Sequence, residues 1–540
     1  MSVDSSTSVV ALDQDKSWTE LQLLFDPTLN NRSLANILEQ LNESGVKSAI
    51  IEHDYLDRDY SEEFKAFYAT LFPRYRRHTK RLHFFRQDIS AQVSSLGALE
   101  TANFLTTHSK DGDYVGFIVI RPVRDAPLGR VVLNVLQPPP DIHTAIEVRG
   151  DYEVHLLGAT LVVRGAPFTQ QDTRITACAQ ASIWMVGRHF YAKHKGPWFS
   201  TVRIADAASH PTDAMLSSSL PAGGGGLGIT NMVRALRAMD RQPYSFSAEI
   251  DEKTKLPSWP AYLEPESIIA RYVESGIPVI LGLNPWETGQ RDGHAVVVVG
   301  TTFQARPNLT FESDRPNISQ YIPFFLVNDD QRGINLRMPV VKGTLDGETP
   351  YTVRDHVQFI LIPLPEKVFV SGETVERRSW DILAQFYSSE WPGLRQDHAP
   401  DFGPALALAD GAAIAFQQKQ IVSRTYLTFG WKYKQRLIEG DISKTIKSLV
   451  ALHQFPRMVW VTEFGIASDV NQLEPAKRRI FAHCVHDATI ATDGSPPLVF
   501  HMPGLLWLWS QCDPSFYSTA EVSLYPISDD AHYTPRWRHP

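Results

Sequence analysis

Between residues 177 and 362, helical spacing comes first and strand-length apolar runs come afterwards. This order limits the fold more than any other feature of the chain. Residues 177–192 read as a helix with Thr176 placed to cap it. A second helix is expected over 230–239, and a third over 265–275, ended by Gly276. Valine- and isoleucine-rich runs then follow at 278–283, 295–299, 324–327 and 358–362. Helices followed by strands predict an α+β domain whose sheet is mainly antiparallel. Pro363 and Pro365 mark its expected end, and Ala166 its start.

The flanks read differently. The first 17 residues, rich in Ser, Asp and Thr, are expected to be loose. Residues 33–44 place Leu34, Ile37, Leu38 and Leu41 on one helical face. Residues 61–71 predict another helix, with Phe64, Phe67 and Tyr68 as its stripe. Strands are expected at 114–120, 130–135 and within 147–163, with the prolines at 138–140 breaking any element there. Residues 1–165 therefore read as a mixed α/β module. After residue 365, helices are expected at 380–387, 442–453 and 475–490, and strands at 458–462 and 497–502. Residues 366–540 form a second mixed α/β module, and the aromatic segment 505–509 is expected in a core or interface.

Composition narrows the function classes. At roughly 100–200 residues per domain, 540 residues suggest two to four domains. The net charge of -8 gives no electrostatic reason to expect nucleic acid or an acidic membrane as partner. No basic start leads into an apolar stretch, and the apolar runs are strand-sized, so neither a signal peptide nor a transmembrane helix is expected. Three cysteines, Cys178, Cys484 and Cys512, make no disulfide framework, and a reducing cytoplasm is the simplest home.

Scarcity makes each cysteine easy to weigh. Cys178 falls in the first turn of an expected helix, where unpaired N–H groups and the positive helix end favour a thiolate. Ala177, Ala179 and Ala181 leave room around it for a substrate backbone. A glutamine a few residues upstream has an amide to offer a developing oxyanion, beside the Cys178 N–H. The alternative is a small buried hydrophobe. His294 stands at the mouth of the run Ala295 to Val299, with Gly293 before it permitting a close neighbour. A histidine there can take the thiol proton; otherwise it closes a strand end. The run Phe324 to Val327 ends in Asn328, Asp329 and Asp330. One of Asn328 or Asp329 has the chemistry to hold the imidazole, and a plain turn is the alternative.

Taken together, these pieces arrive in the order Cys, His, Asn/Asp on helix, strand and strand. With Gln170 and Gln171, Cys178 to Ala181, Gly293 and His294, and Asn328 and Asp329, residues 166–365 resemble papain-like cysteine peptidases. The similarity is to the bacteriocin-processing, leader-peptide-cleaving group. It implies a papain-like fold with Cys178 as nucleophile, His294 as general base, Asp329 as its orienter and Gln171 as oxyanion donor. Ala179 stands where the group often has Gly, and Asp330 where it often has Pro. Asp172 sits at the spacing where papain itself carries its glutamine.

Three functions follow from this set. The first is a thiol peptidase on a protein or peptide, with flanking modules that restrict or deliver substrate and a regulatory partner as one route to opening the site. The second is an acyl transferase or deamidase using the same triad. The third is a binding scaffold that has kept the fold. No cofactor or metal is called for. Residues 223–228 are glycine-rich but lack a following Lys-Ser/Thr, so they make no phosphate loop. The basic stretch 74–81 is expected as a solvated or ion-paired surface. His483, Cys484 and His486 lie close on the expected helix 475–490, yet no second ligand pair at zinc spacing accompanies them.

Overall fold

The structure is a computed structural model. It describes residues 7–110, 112–172, 178–209, 227–260, 262–284, 293–306, 309–439, 444–490, 496–509, 514–518 and 525–526. Three large sheets organise these residues, and every strand pair in them is antiparallel.

The first sheet runs in the order Thr7–Ala11, Ser48–Tyr55, Thr79–Phe85, Tyr114–Ile120, Leu128–Leu133, Ala159–Phe168, Gly150–Leu156. The N-terminus is thus tied down from residue 7: Thr7–Ala11 pairs with Ser48–Tyr55, and a helix follows at Asp15–Phe25. The expected looseness there is corrected, because this edge pairing satisfies the backbone that composition alone leaves free. Helix Arg32–Glu43 buries Leu34, Ile37, Leu38 and Leu41, the face its spacing predicts. The Asn31 side chain caps it by accepting from Leu34 N at 2.9 Å. The helix expected over 61–71 starts earlier, at Arg58–Ala66, where Asp57 accepts from Tyr60 N, and breaks into a short turn at Tyr68–Thr70.

The second sheet runs Gly333–Pro339, Phe324–Asp329, His294–Phe303, Val279–Leu283, Val357–Pro365, Arg241–Ser247. His143–Ile146 also pairs with His294–Phe303. Gly300 makes that crossing possible, since a Cβ there would meet Ala145 O at 2.2 Å. Gly293 has no such role: its nearest neighbour would be Leu283 O at 3.8 Å. The strand Val357–Pro365, next to the edge strand Arg241–Ser247, continues through both Pro363 and Pro365, with Pro243 opposite Pro363.

Helices Cys178–His194, Ile229–Ala238 and Pro265–Glu274 cover this sheet. Cys178–His194 is buried on several faces, by Ile183, Trp184, Met185, Val186 and Phe190 among others. An all-round apolar helix belongs inside a fold, and this one lies between the first and second sheets. One apolar cluster accordingly runs without a break from Leu34 and Leu82 through Trp184 to Val297 and Leu361.

The third sheet runs Ile421–Phe429, Met458–Ile466, Ala482–Asp487, Val499–Met502, Leu505–Trp509, Pro514–Ser518. Helix Gly372–Gln385 packs on it through Trp380, which meets Phe464 edge-on at 5.2 Å. The helix expected over 475–490 is overturned. Only Pro475–Lys477 turns, and Ala482–Asp487 is a central strand. Its residues Ala482 to His486 are buried on both faces, so no alternation marks it as a strand in the sequence. Among the described residues, no helix is long and apolar enough to cross a membrane.

Candidate active site

Cys178 opens the buried helix Cys178–His194 and is itself half-buried. No acidic residue stands in the first turn, and Lys193 and His194 occupy the last. The basic last turn suits the helix dipole, and the lack of an acid in the first leaves its positive end uncompensated at the sulfur. Ser182 Oγ donates to Ala295 O at 3.2 Å, which holds the helix against the strand His294–Phe303. The thiol faces Gly293 O across a 3.9 Å contact. Thr176 and Ala177 lie outside the described residues.

His294 is the first residue of its strand, and its side chain is 2% exposed. Strand register selects its partner. Val297 pairs with Asn328, so Asp329 falls opposite Val296, and His294 shares that face because it lies two residues before Val296. His294 Nε2 meets Asp329 Oδ1 at 3.0 Å. Asn328 points the other way: its Nδ2 donates to Pro167 O at 3.1 Å and its Oδ1 accepts from Asn335 N at 3.0 Å. The structure therefore brings Asp329 to the imidazole and turns Asn328 away.

Asp329 is fully enclosed and well supplied with donors. Oδ2 accepts from Tyr351 Oη at 2.5 Å, and Oδ1 accepts from Gln331 N at 2.9 Å. Arg332 Nε lies 3.6 Å from Oδ2. Burial pushes this carboxyl up, but the His294 charge and these hydrogen bonds outweigh it and hold the group below the usual carboxylate range. For His294, burial opposes the charge, whereas Asp329, the Cys178 thiol and Asp330 favour it; the ring is held well above its ordinary value. Nδ1 is buried and has no hydrogen-bond partner. An imidazole fixed through Nε2, with Nδ1 open and a thiol close enough to act on it, is arranged to exchange a proton with that thiol.

A third acid stands beside this pair. Asp330 Oδ1 lies 3.9 Å from His294 Nε2, and both Asp330 carboxyl oxygens are buried without a partner. Burial, reinforced by Asp329 and opposed by His294, pushes its carboxyl up to about 7. Ligand atoms of His294, Asp329 and Asp330 lie within 4.8 Å of one another, the one such group among the described residues. The donor set argues for protons rather than a metal, because Nε2 and both oxygens of Asp329 are already engaged in hydrogen bonds.

The glutamines divide. Gln170 is buried and spent on structure: its Oε1 accepts from Leu128 N and Asn31 Nδ2, each at 3.3 Å. Gln171 is half-buried, outside any helix or strand. Asp172 is buried and accepts from the Tyr68 hydroxyl.

Sequence reasoning missed Tyr351 and Asp330 as neighbours of the histidine. A tyrosine 57 positions downstream gives no periodic signal, whereas the tandem acids 329 and 330 were visible.

Elsewhere, the zinc-like group is dispersed. His483 meets Tyr433 Oη at 2.7 Å on one face of its strand, and His486 meets Ser379 Oγ at 3.2 Å on the other. Cys484 is fully buried, and burial pushes its thiol up. Cys512 and residues 223–226 lie outside the described residues. In the basic stretch, Arg74, Arg76 and Arg77 are exposed, while Arg81 is buried against Glu52 at 2.5 Å.

No family model and no curated protein matches the chain. Among solved structures, it is similar to the peptidase domain of Streptococcus ComA, a bi-functional ABC transporter involved in a quorum sensing pathway. Identity is 14%, 36% of this chain and 95% of that one are covered, and the TM-score is 0.19. A TM-score of that size is too low to carry the fold or the chemistry.

Proposed function

We propose that residues 166–365 form a papain-like thiol hydrolase acting on a protein or peptide, with Cys178 as nucleophile, His294 as acid and base, and Asp329 as its orienter. One observation carries this reading: His294 is bound through Nε2 to a buried carboxylate, Nδ1 is buried and otherwise unpartnered, and the Cys178 thiol interacts with the ring and favours its charge. In the reaction, His294 takes the thiol proton and the thiolate attacks the acyl carbonyl. The Cys178 backbone N–H and the Gln171 amide receive the oxyanion. Collapse breaks the acyl bond, and the imidazolium gives its proton to the leaving amine. Water, deprotonated by His294, then cleaves the thioester and restores the thiol. The modules at 1–165 and 366–540 restrict access or deliver substrate, and the chain works in the cytoplasm.

The test is the rate of iodoacetamide alkylation against pH, read on the Cys178 peptide by mass spectrometry, with His294→Ala alongside. The expected midpoint lies well below the free-thiol value of about 8.5 and returns to it in His294→Ala. A wild-type midpoint at or above that value, indifferent to His294, would overturn the proposal.

A further inference from the structure

Asp330 presents a carboxyl that nothing in the fold explains. Its side chain is 1% exposed, and neither oxygen has a partner. From the helix Arg32–Glu43, Ser33 Oγ donates to the Asp330 backbone O at 3.4 Å. Buried carboxyls without donors are costly and are replaced readily by apolar groups unless a neighbour needs the charge. The neighbour here is His294 Nε2, at 3.9 Å.

We infer that Asp330 is a positioning residue, a second carboxyl beside His294 whose ionisation sets how much thiolate Cys178 holds. The inference rests on the reading of Cys178 and His294 as a thiol–imidazole pair. Asp329 fixes the direction of the ring by its short hydrogen bond. Asp330 is too far for one and acts through charge alone. Ionised, it steadies the imidazolium and so favours proton transfer from the thiol. Protonated, it offers no charge, and the pair reverts towards thiol and neutral imidazole.

The groups that face Asp330 decide when each state holds. They are His294 from its strand, Asp329 from the preceding position and Tyr351 across the site, with Arg332 of the following turn engaged on Asp329 at 3.6 Å. Burial, with Asp329 beside it, keeps the proton on Asp330 and His294 favours its release, which leaves the carboxyl pushed up to about 7. A group raised in the fold stabilises it at acid pH and withdraws that support as pH rises through its folded value. The chain therefore carries an acid-stabilised resting site that gains thiolate as Asp330 ionises.

Asp330→Asn keeps the shape and removes the charge. Two readouts test it in the full chain. In alkylation of Cys178, its midpoint is expected to rise by about one pH unit, about fivefold less thiolate at the wild-type midpoint and about tenfold less well below it. In thermal unfolding, its advantage over wild type is expected to grow as pH rises from the ordinary carboxylate range to about 7 and to level off above it, which shows that the removed group was a titrating carboxyl. An alkylation profile superimposed on a low, His294-dependent wild-type midpoint would overturn the role of Asp330 and leave the proposed function standing. A wild-type midpoint at the free-thiol value would overturn both.

Discussion

Asp329 takes hydrogen bonds on both oxygens, and Tyr351 supplies the one on Oδ2 at 2.5 Å. Tyr351→Phe keeps the ring that lies 6.3 Å from His294 and removes only that donor. A charged buried acceptor left short of a partner costs about 1–3 kcal/mol. The Asp329 carboxyl is held low in the fold, so its stabilising contribution is present above the unfolded carboxylate range and is lost as pH falls through the folded value. The Tyr351→Phe deficit in urea unfolding should therefore be largest at neutral pH and shrink in acid. A deficit that does not vary with pH would assign Tyr351 to packing instead. At this scale the sequence was informative where neighbours announce chemistry, as around Cys178 and His294. It left Asn328 and Asp329 unresolved, because consecutive strand residues face opposite sides and only register decides which side holds the histidine. Gln170 and Gln171 divided for the same reason: Gln170 is committed to Asn31 and Leu128, contacts 139 and 42 positions away in sequence.

Among the elements, the helix Cys178–His194 is anchored by a buried charge. Asp59 on Arg58–Ala66 accepts from Arg188 and, at 3.2 Å, from Trp184 Nε1, both on Cys178–His194. Burial raises the Asp59 carboxyl and lowers the Arg188 guanidinium, and each is partly offset by the other. Removing one partner strands the other, so Asp59→Ala should cost about 3–5 kcal/mol, whereas the paired change Asp59→Leu with Arg188→Met should cost much less. Chemical denaturation of the two variants and wild type measures both values; equal costs would mean that the site depends on packing volume, not on charge. Arg32–Glu43 was legible in the sequence from its helical period, and Tyr114–Ile120 from its run of Val and Ile. Arg241–Ser247 was not, because an exposed edge strand needs no apolar run. Ala482–Asp487 was read as part of a helix because burial on both faces erases the alternation that marks a strand.

Across the molecule, the third sheet joins the second through charge and core alike. Arg424 on Ile421–Phe429 bonds Glu274 on Pro265–Glu274 at 2.5 Å and reaches Glu463 at 3.5 Å. Beside it, Trp460 donates to Val370 O at 3.0 Å and meets the Tyr272 ring edge-on at 5.7 Å. Leu427, Phe429, Met458 and Trp460 belong to the same apolar cluster as Val297 and Trp184. A core shared in this way makes unfolding of the sheets cooperative. Arg424→Met removes the cation that Glu274 and Glu463 share, with Glu463 keeping Arg436 at 2.8 Å, and should cost about 3 kcal/mol. Calorimetry is then expected to show a single transition moved to lower temperature, with Cys178 protected from alkylation at pH values below its midpoint until that transition begins. Two separated transitions, with Cys178 unaffected by the first, would make the third sheet an independent unit and confine the support of the active site to the first two sheets.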